Sequence, residues 1–304
     1  MISFRYHIVS IVAVFLALAL GIVVGTTALN GPVTTDLRNQ VKSLKNDRSD
    51  LSTQVASLQT QVDNAGQFAS TFGSALVAGR LKDQSVLVVA LPGASSGLQD
   101  SVSNALTAAG AKLTGHLQLA SDFVEQSSAP ALNAFLTGGV QPGDFTFPQG
   151  TDDARVLSAA LLAYVLLGKG QATDLQTVLT GFAGLHMITS DPKAIEPATT
   201  VVVVTTGAQA KDSYAGRAGL DLSSALQSAG AHVIVAGDAG SATQDGVVSL
   251  VRTGGAHSSI STVDDADTAF GPASVVLTVV GALNSQVGHY GTAQGADALF
   301  PTAR

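Results

Sequence analysis

The spacing of hydrophobic positions along this 304-residue chain changes twice, and each change marks a new element. Residues 8–29 (IVSIVAVFLALALGIVVGTTAL) carry no charge, and Ser10, Thr26 and Thr27 are their only polar side chains. At ~1.5 Å per residue such a helix crosses a hydrocarbon core ~30 Å thick. The run exceeds the ~7–15 residues of a signal-peptide core and lacks an A-x-A cleavage pattern. Residues 1–31 are therefore expected to be a retained membrane anchor. Flanking charge does not orient it. Arg5 lies before the run and Arg38, Lys42, Lys45 and Arg48 after it, but large domains translocate largely regardless of such counts.

Over residues 32–73 the apolar positions fall into heptads. Leu37, Val41, Leu44, Arg48, Leu51, Val55, Leu58 and Val62 alternate steps of four and three, and Ala65, Ala69 and Phe72 continue them. Valines 41, 55 and 62 take position a and leucines 44, 51 and 58 position d, the arrangement that favours a parallel two-stranded coiled coil. A helix packed on its own domain would show a wider apolar face, so a homodimer is expected. Arg48 at an a position should weaken the seam and fix its register. The helix is expected to end near Gly73.

Residues 80–304 read as an α/β domain. Ser85–Leu91 and Thr199–Thr206 are short valine-rich runs ending in Pro92-Gly93 and Gly207; each is followed by an amphipathic stretch and an Ala-Gly-Ala turn. His232–Ala236 is the next strand. Such recurrence is the signature of βαβ units around a parallel sheet buried on both faces. The segments NALTAAGAKLTG and SALQSAGAHVIVAG look like one element used twice, which suggests two related halves, about 80–190 and 195–304. Val156–Leu167 and Ala273–Leu283 are too short to span a membrane and are expected to be core helices.

Composition narrows the chemistry. Only 12% of residues are charged, and the net charge of -7 argues against nucleic-acid binding. The absence of cysteine excludes disulfides, thiolate metal sites and a cysteine nucleophile. No dinucleotide, P-loop, nucleophile-elbow or zinc-protease motif occurs, so no catalytic residue, cofactor or metal site is assigned and a non-enzymatic protein is expected. The loop Pro92–Gly97 is read as a strand-to-helix connection in preference to an anion site. Asp264, Asp265 and Asp267 form an acidic cluster without EF-hand spacing and are read as a solvated loop or helix cap. His7, His116, His186, His232, His257 and His289 show no i, i+3 or i, i+4 pairing, and His186-Met187 is the one adjacent pair of soft ligands.

Both ends of the chain resemble the actinobacterial MctB family: MISFRYHIVSIVAVFLALALGIVVG at the start, and ISTVDDADTAFGPASVVLTVV with VGHYGT (GHYGT being Gly288–Thr292) near the end. The family takes its name from copper transport across the mycobacterial envelope. The chain is also similar to the MctB-related SteB proteins of cell separation, which work with a SteA partner. The resemblance implies a single-pass protein of the cell membrane with an exoplasmic α/β domain, an outer-membrane location entering only through the family name. It also implies a copper transport or homeostasis role, with a dimeric scaffold acting through a SteA-like partner as the alternative. Copper enters by family name alone. The partner surface is expected along the heptad stalk or on the two C-terminal segments carrying the resemblance, at Asp264, Asp265, Asp267, His289 and Tyr290. Those segments have the glycine, aspartate and threonine content of exposed loops, and His289 and Tyr290 lie between glycines as an aromatic anchor.

Overall fold

The computed structural model describes the backbone of residues 4–302 and the side chains of 4–26 and 35–302. The chain separates into two compact units at Asn64/Ala65. Helix α1 (Phe4–Val77) makes up the first and supplies the opening turns of the second. Its segment Phe4–Thr26 is long and apolar enough to cross a membrane, and none of it is buried. That segment starts four residues before the expected run, because the turn holding Phe4 and Tyr6 is already helical. In the heptad region Leu37, Val41, Leu44, Leu51, Val55, Leu58 and Val62 are 54–67% exposed, and Arg48 is exposed with them.

The second unit is built on β1 (Ser85–Ala90), α2 (Ser96–Ala108), β2 (Lys112–Gln118), α3 (Ala129–Thr137), α4 (Ala154–Leu166), α5 (Ala172–Gly184) and β3 (Thr200–Thr205). It continues with α6 (Tyr214–Ser228), β4 (His232–Gly237), α7 (Val247–Thr253), β5 (Ser261–Val263), α8 (Gly271–Leu283) and β6 (His289–Tyr290). All six strands are parallel, in the order β2-β1-β3-β4-β5-β6. Side chains alternate between two cores, as a strand's period of two requires. Leu87, Val89, Val201, Val203, Val233 and Val235 meet helices α3 to α7; Val86, Val88, Val202, Val204 and Ile234 meet α2, α8 and Val77 of α1. Burial on both faces is why these strands are runs of valine rather than alternations. The two apolar dozens are core helices, as expected: α4 and α8.

The repeated sequence element is a repeated helix stop. After α2, Ala109, Gly110 and Ala111 donate to Ala105, Thr107 and Leu106; after α6, Ala229, Gly230 and Ala231 donate to Ala225, Gln227 and Leu226. Gly110 and Gly230 take φ of 88° and 98°, which only glycine adopts at no steric cost. Beyond that stop the halves differ, since three helices separate β2 from β3 and only α7 separates β4 from β5.

One connection stands apart. From β2 to β5 the chain moves rightward across the sheet over the α3–α7 face, and β1 to β2 moves leftward over the α2 face, all of one hand. The crossover from β5 through α8 to β6 moves rightward on the α2 face and so has the opposite hand. Sheets strongly disfavour mixing hands, and the two-residue β6 offers few ladder bonds to hold such a crossover in place.

The helix expected to stop near Gly73 runs on to Val77, and Gly79 (φ 72°) follows it. The turns from Ala65 onward belong to the second unit because small residues let them approach α8. A Cβ on Gly66 or Gly73 would lie 3.4 Å from the Cβ of Ala269 or Ala273. Ala69, an a position of the heptad, is buried. The self-packed face thus begins where the heptad was expected to continue.

Candidate functional site

The two C-terminal segments that carry the family resemblance come together at the β5–β6 edge. Arg252, on the same side of α7 as Val248 and Val251, is 6% exposed, and Asp264, directly after β5, is fully buried. Arg252 Nη1 donates to Asp264 Oδ2 at 2.7 Å, Nε to Thr262 Oγ1 at 2.9 Å, and Nη2 to the Tyr290 carbonyl at 2.9 Å. The remaining lone pairs of Asp264 accept the backbone N–H groups of Thr292 at 2.8 Å and Ala293 at 3.2 Å. A buried ion pair is tolerable only when so completely hydrogen-bonded. Charge on α7 therefore clasps the segment after β6 against β5, where the opposite-handed crossover needs it.

His289 completes the clasp. The Thr262 hydroxyl, already accepting from Arg252, pairs with His289 Nδ1 at 2.9 Å, and His289 Nε2 with the His257 carbonyl at 3.0 Å. The partners assign the tautomer: Nε2 bears the proton and Nδ1 accepts. Burial pushes the His289 pKa below the ordinary imidazole value, although the His257 carbonyl opposes this. Its backbone N–H donates to Asp297 at 2.8 Å, and the His257 ring stacks on it at 4.3 Å.

These contacts correct the expected partner surface. Asp264, Asp265 and His289 are interior, because the first two aspartates lie in the connection that leaves β5 inside the fold and His289 lies on β6. Asp267 is exposed. Tyr290 is half-buried, with its hydroxyl folded over the space a side chain on Gly288 would take. Three of the five are thus buried and only Asp267 is exposed. Sequence reasoning missed Arg252, although it is the only charge between Asp245 and Asp264, and an isolated arginine among core valines implies a buried acid.

Asp265 has one carboxylate oxygen buried with no hydrogen-bond partner. Burial first, then the neighbouring Asp264, push its pKa up to about 6. A carboxyl whose folded pKa is raised stabilises fully below its unfolded value near 3.8 and loses that contribution as pH rises through about 6. Asp265→Asn is therefore expected to gain about 1–2 kcal/mol at pH above 7, after allowance for solvent screening, and nothing near pH 4. Urea denaturation of the two proteins at both pH values checks this.

Other candidates are placed apart. The His186 imidazole is exposed while the Met187 thioether lies in the core, so this pair does not chelate. Both His289 nitrogens are engaged. Among the described residues no group of three or more His, Cys, Asp or Glu side chains could hold a metal ion. In the Pro92–Gly97 loop Ser95 accepts the N–H of Leu98 and caps α2, and Thr206 donates to the Gly93 carbonyl at 2.8 Å. This loop ties β1 to β3, although it lies at the sheet's topological switch point, where such folds often bind ligands. A groove of about 570 Å³ runs beside the end of α1, lined by Phe68, Phe72, Leu76, Phe270, Leu277 and Phe300 among others. Phe68 lies off the heptad, and Phe270 and Phe300 are far off in sequence, so the pattern of the chain gave no sign of it.

Comparison with known proteins agrees with the residues at both ends. Residues 1–301 match the family described as "Copper transport outer membrane protein, MctB". The chain belongs to the MctB family. It is 32% identical to the copper transporter MctB of Mycobacterium tuberculosis strain H37Rv and to that of Mycobacterium bovis, over 97% of this chain and 98% of each relative. It is 30% identical to the copper transporter MctB of Mycobacterium leprae, over 98% and 99%. These descriptions name a transport protein of the envelope and not an enzyme. The MctB match covers the apolar helix, the heptads and the clasped domain alike.

Proposed function

We propose that this MctB-family chain is a membrane-anchored, dimeric envelope protein of copper homeostasis whose exoplasmic domain works through protein contacts and not by holding the ion. The observation carrying this reading is the line of seven apolar heptad side chains, 54–67% exposed, on the first unit. Such a line asks for a partner, and its Val-at-a, Leu-at-d order suits a second copy in parallel. The span Phe4–Thr26 supplies the anchor. Copper(I) prefers thiolate and thioether ligands, and the thioether of Met187 is withdrawn into the core.

The decisive experiment titrates copper(I) into the full-length protein in detergent against a competing chelator. No stoichiometric site of nanomolar or tighter affinity is expected; finding one would sink the reading, and His186 and Met187 would be the first residues to change. The same exposed line favours a second reading, a SteB-like scaffold of cell separation with a SteA-like partner. Membrane pull-downs with and without residues 35–62 test this second reading, which requires a SteA-like protein to be recovered with the full chain and lost with the heptads. Arg48 gives a direct test of the dimer. Arg48→Val removes two like charges meeting at the axis, and should tighten self-association of the full chain by about 1–3 kcal/mol in analytical ultracentrifugation.

A further inference from the structure

The last turns of α1 carry more apolar surface than their own unit covers. Gly66, Ala69 and Gly73 face α8, yet Phe68, Phe72 and Leu76 remain 61%, 57% and 48% exposed. They form one wall of the 570 Å³ groove, and Phe270 and Phe300 line it too. Counting on from Val62 at position a, Phe72 falls at d and Leu76 at a, so the two continue the same heptad phase. No residue from 64 to 79 is charged. A two-fold contact sets each residue beside its own copy, where like charges repel; a charge-free stretch therefore suits self-contact and gives a charged partner nothing to recognise. The groove on the other side of the same helix holds no aromatic side chain and is more polar, with Ser70, Ser74, Ser101 and Asn104 set among alanines.

We propose that the apolar groove is the seat for α1 of a second copy of this chain, with Phe72 and Leu76 meeting their counterparts across the axis and Phe270 and Phe300 closing over the incoming helix. This rests on the dimer reading above and deepens it. The seam does not end where the helix joins the α/β domain; α8 and the C-terminal segment become part of the interface. Dimerisation then reaches the element that follows Asp264 and the clasp.

Because the chain has no cysteine, single introduced thiols report without background. Full-length protein in detergent carries either Leu58→Cys, on the heptad of the first unit, or Phe72→Cys, in the groove. Opposed d positions lie within the ~4.4–6.8 Å Cα separation a disulfide spans, so mild oxidation should link both variants into dimers. Adding Phe270→Asp should bring the Phe72→Cys link down to background and leave the Leu58→Cys link unchanged. If Leu58→Cys links and Phe72→Cys does not, the groove inference is overturned and the dimer stands. A Phe72→Cys link indifferent to Phe270→Asp also overturns it, since the helices would then pair away from the groove. If neither thiol links, the dimer reading fails and the inference with it.

Discussion

Asp264→Ala should destabilise the α/β unit by about 3–5 kcal/mol, because it leaves the Arg252 guanidinium buried without its counter-ion. The same change orphans the N–H groups of Thr292 and Ala293, which no other acceptor reaches. For a unit of this size the loss corresponds to a fall of about 10 °C in melting temperature. Replacing both partners by leucine should cost much less, since an apolar pair leaves no charge uncompensated. Limited proteolysis adds a local readout: the segment after α8 should become cleavable in Asp264→Ala while the β1–β4 core stays protected. A change below about 1 kcal/mol would mean that the pair behaves as a surface bridge, and the account of the clasp would be wrong.

The sheet was legible in the sequence because burial on both faces leaves a plain mark. Val201–Val204 and Val86–Val89 are unbroken by any polar residue, and the Ala-Gly-Ala stops give away the helices before β2 and β4. The strand order was not legible. Nothing in the spacing of residues says that β2 lies outside β1, or that three helices enter between β2 and β3. The packing of α1 on its own domain was obscured for a different reason: Ala69 satisfies an a position as well as it satisfies close packing beside α8, and alanine distinguishes the two no better than glycine does. The acidic run misled most. Three aspartates within four residues read as solvated, and only the position of Arg252 twelve residues earlier decides that Asp264 points inward.

That decision changes what the GHYGT segment means. Its composition suggested an exposed loop, and an aromatic between glycines suggested an interface anchor. In the fold each residue there serves the β5–β6 edge. His289 bonds to Thr262, Asp297 and the His257 carbonyl, Tyr290 gives its carbonyl to Arg252, and Gly291 leaves room for the Asp264 carboxylate. This C-terminal part of the resemblance to MctB proteins is thus a fastening of the fold. In the proposed dimer, contact with other chains falls instead to the apolar helix faces, where Leu37–Val62 of the heptads and Phe68, Phe72 and Leu76 lie exposed.

Gly291→Ala is expected to cost about 3–5 kcal/mol, from two causes that a second substitution separates. Gly291 has φ of 125°, a conformation in which an L side chain is strained by ~1–3 kcal/mol. An added Cβ would also overlap the Asp264 carboxylate, and that carboxylate cannot move aside, held as it is by Arg252, Thr292 and Ala293. In an Asp264→Ala background the overlap disappears and only the backbone strain remains, so Gly291→Ala should then cost about 1–2 kcal/mol less than in the parent. Gly288→Ala is the control. Its Cβ would meet the Tyr290 hydroxyl, the free end of a side chain that can swing away, and Gly288 lies outside the left-handed region; a loss below about 1 kcal/mol is expected. Urea denaturation of the four proteins of the cycle and of Gly288→Ala measures the strain, the overlap and the control. Strict additivity of Gly291→Ala and Asp264→Ala would show that the carboxylate yields to the new methyl group, and that the clasp is looser than its hydrogen bonds imply.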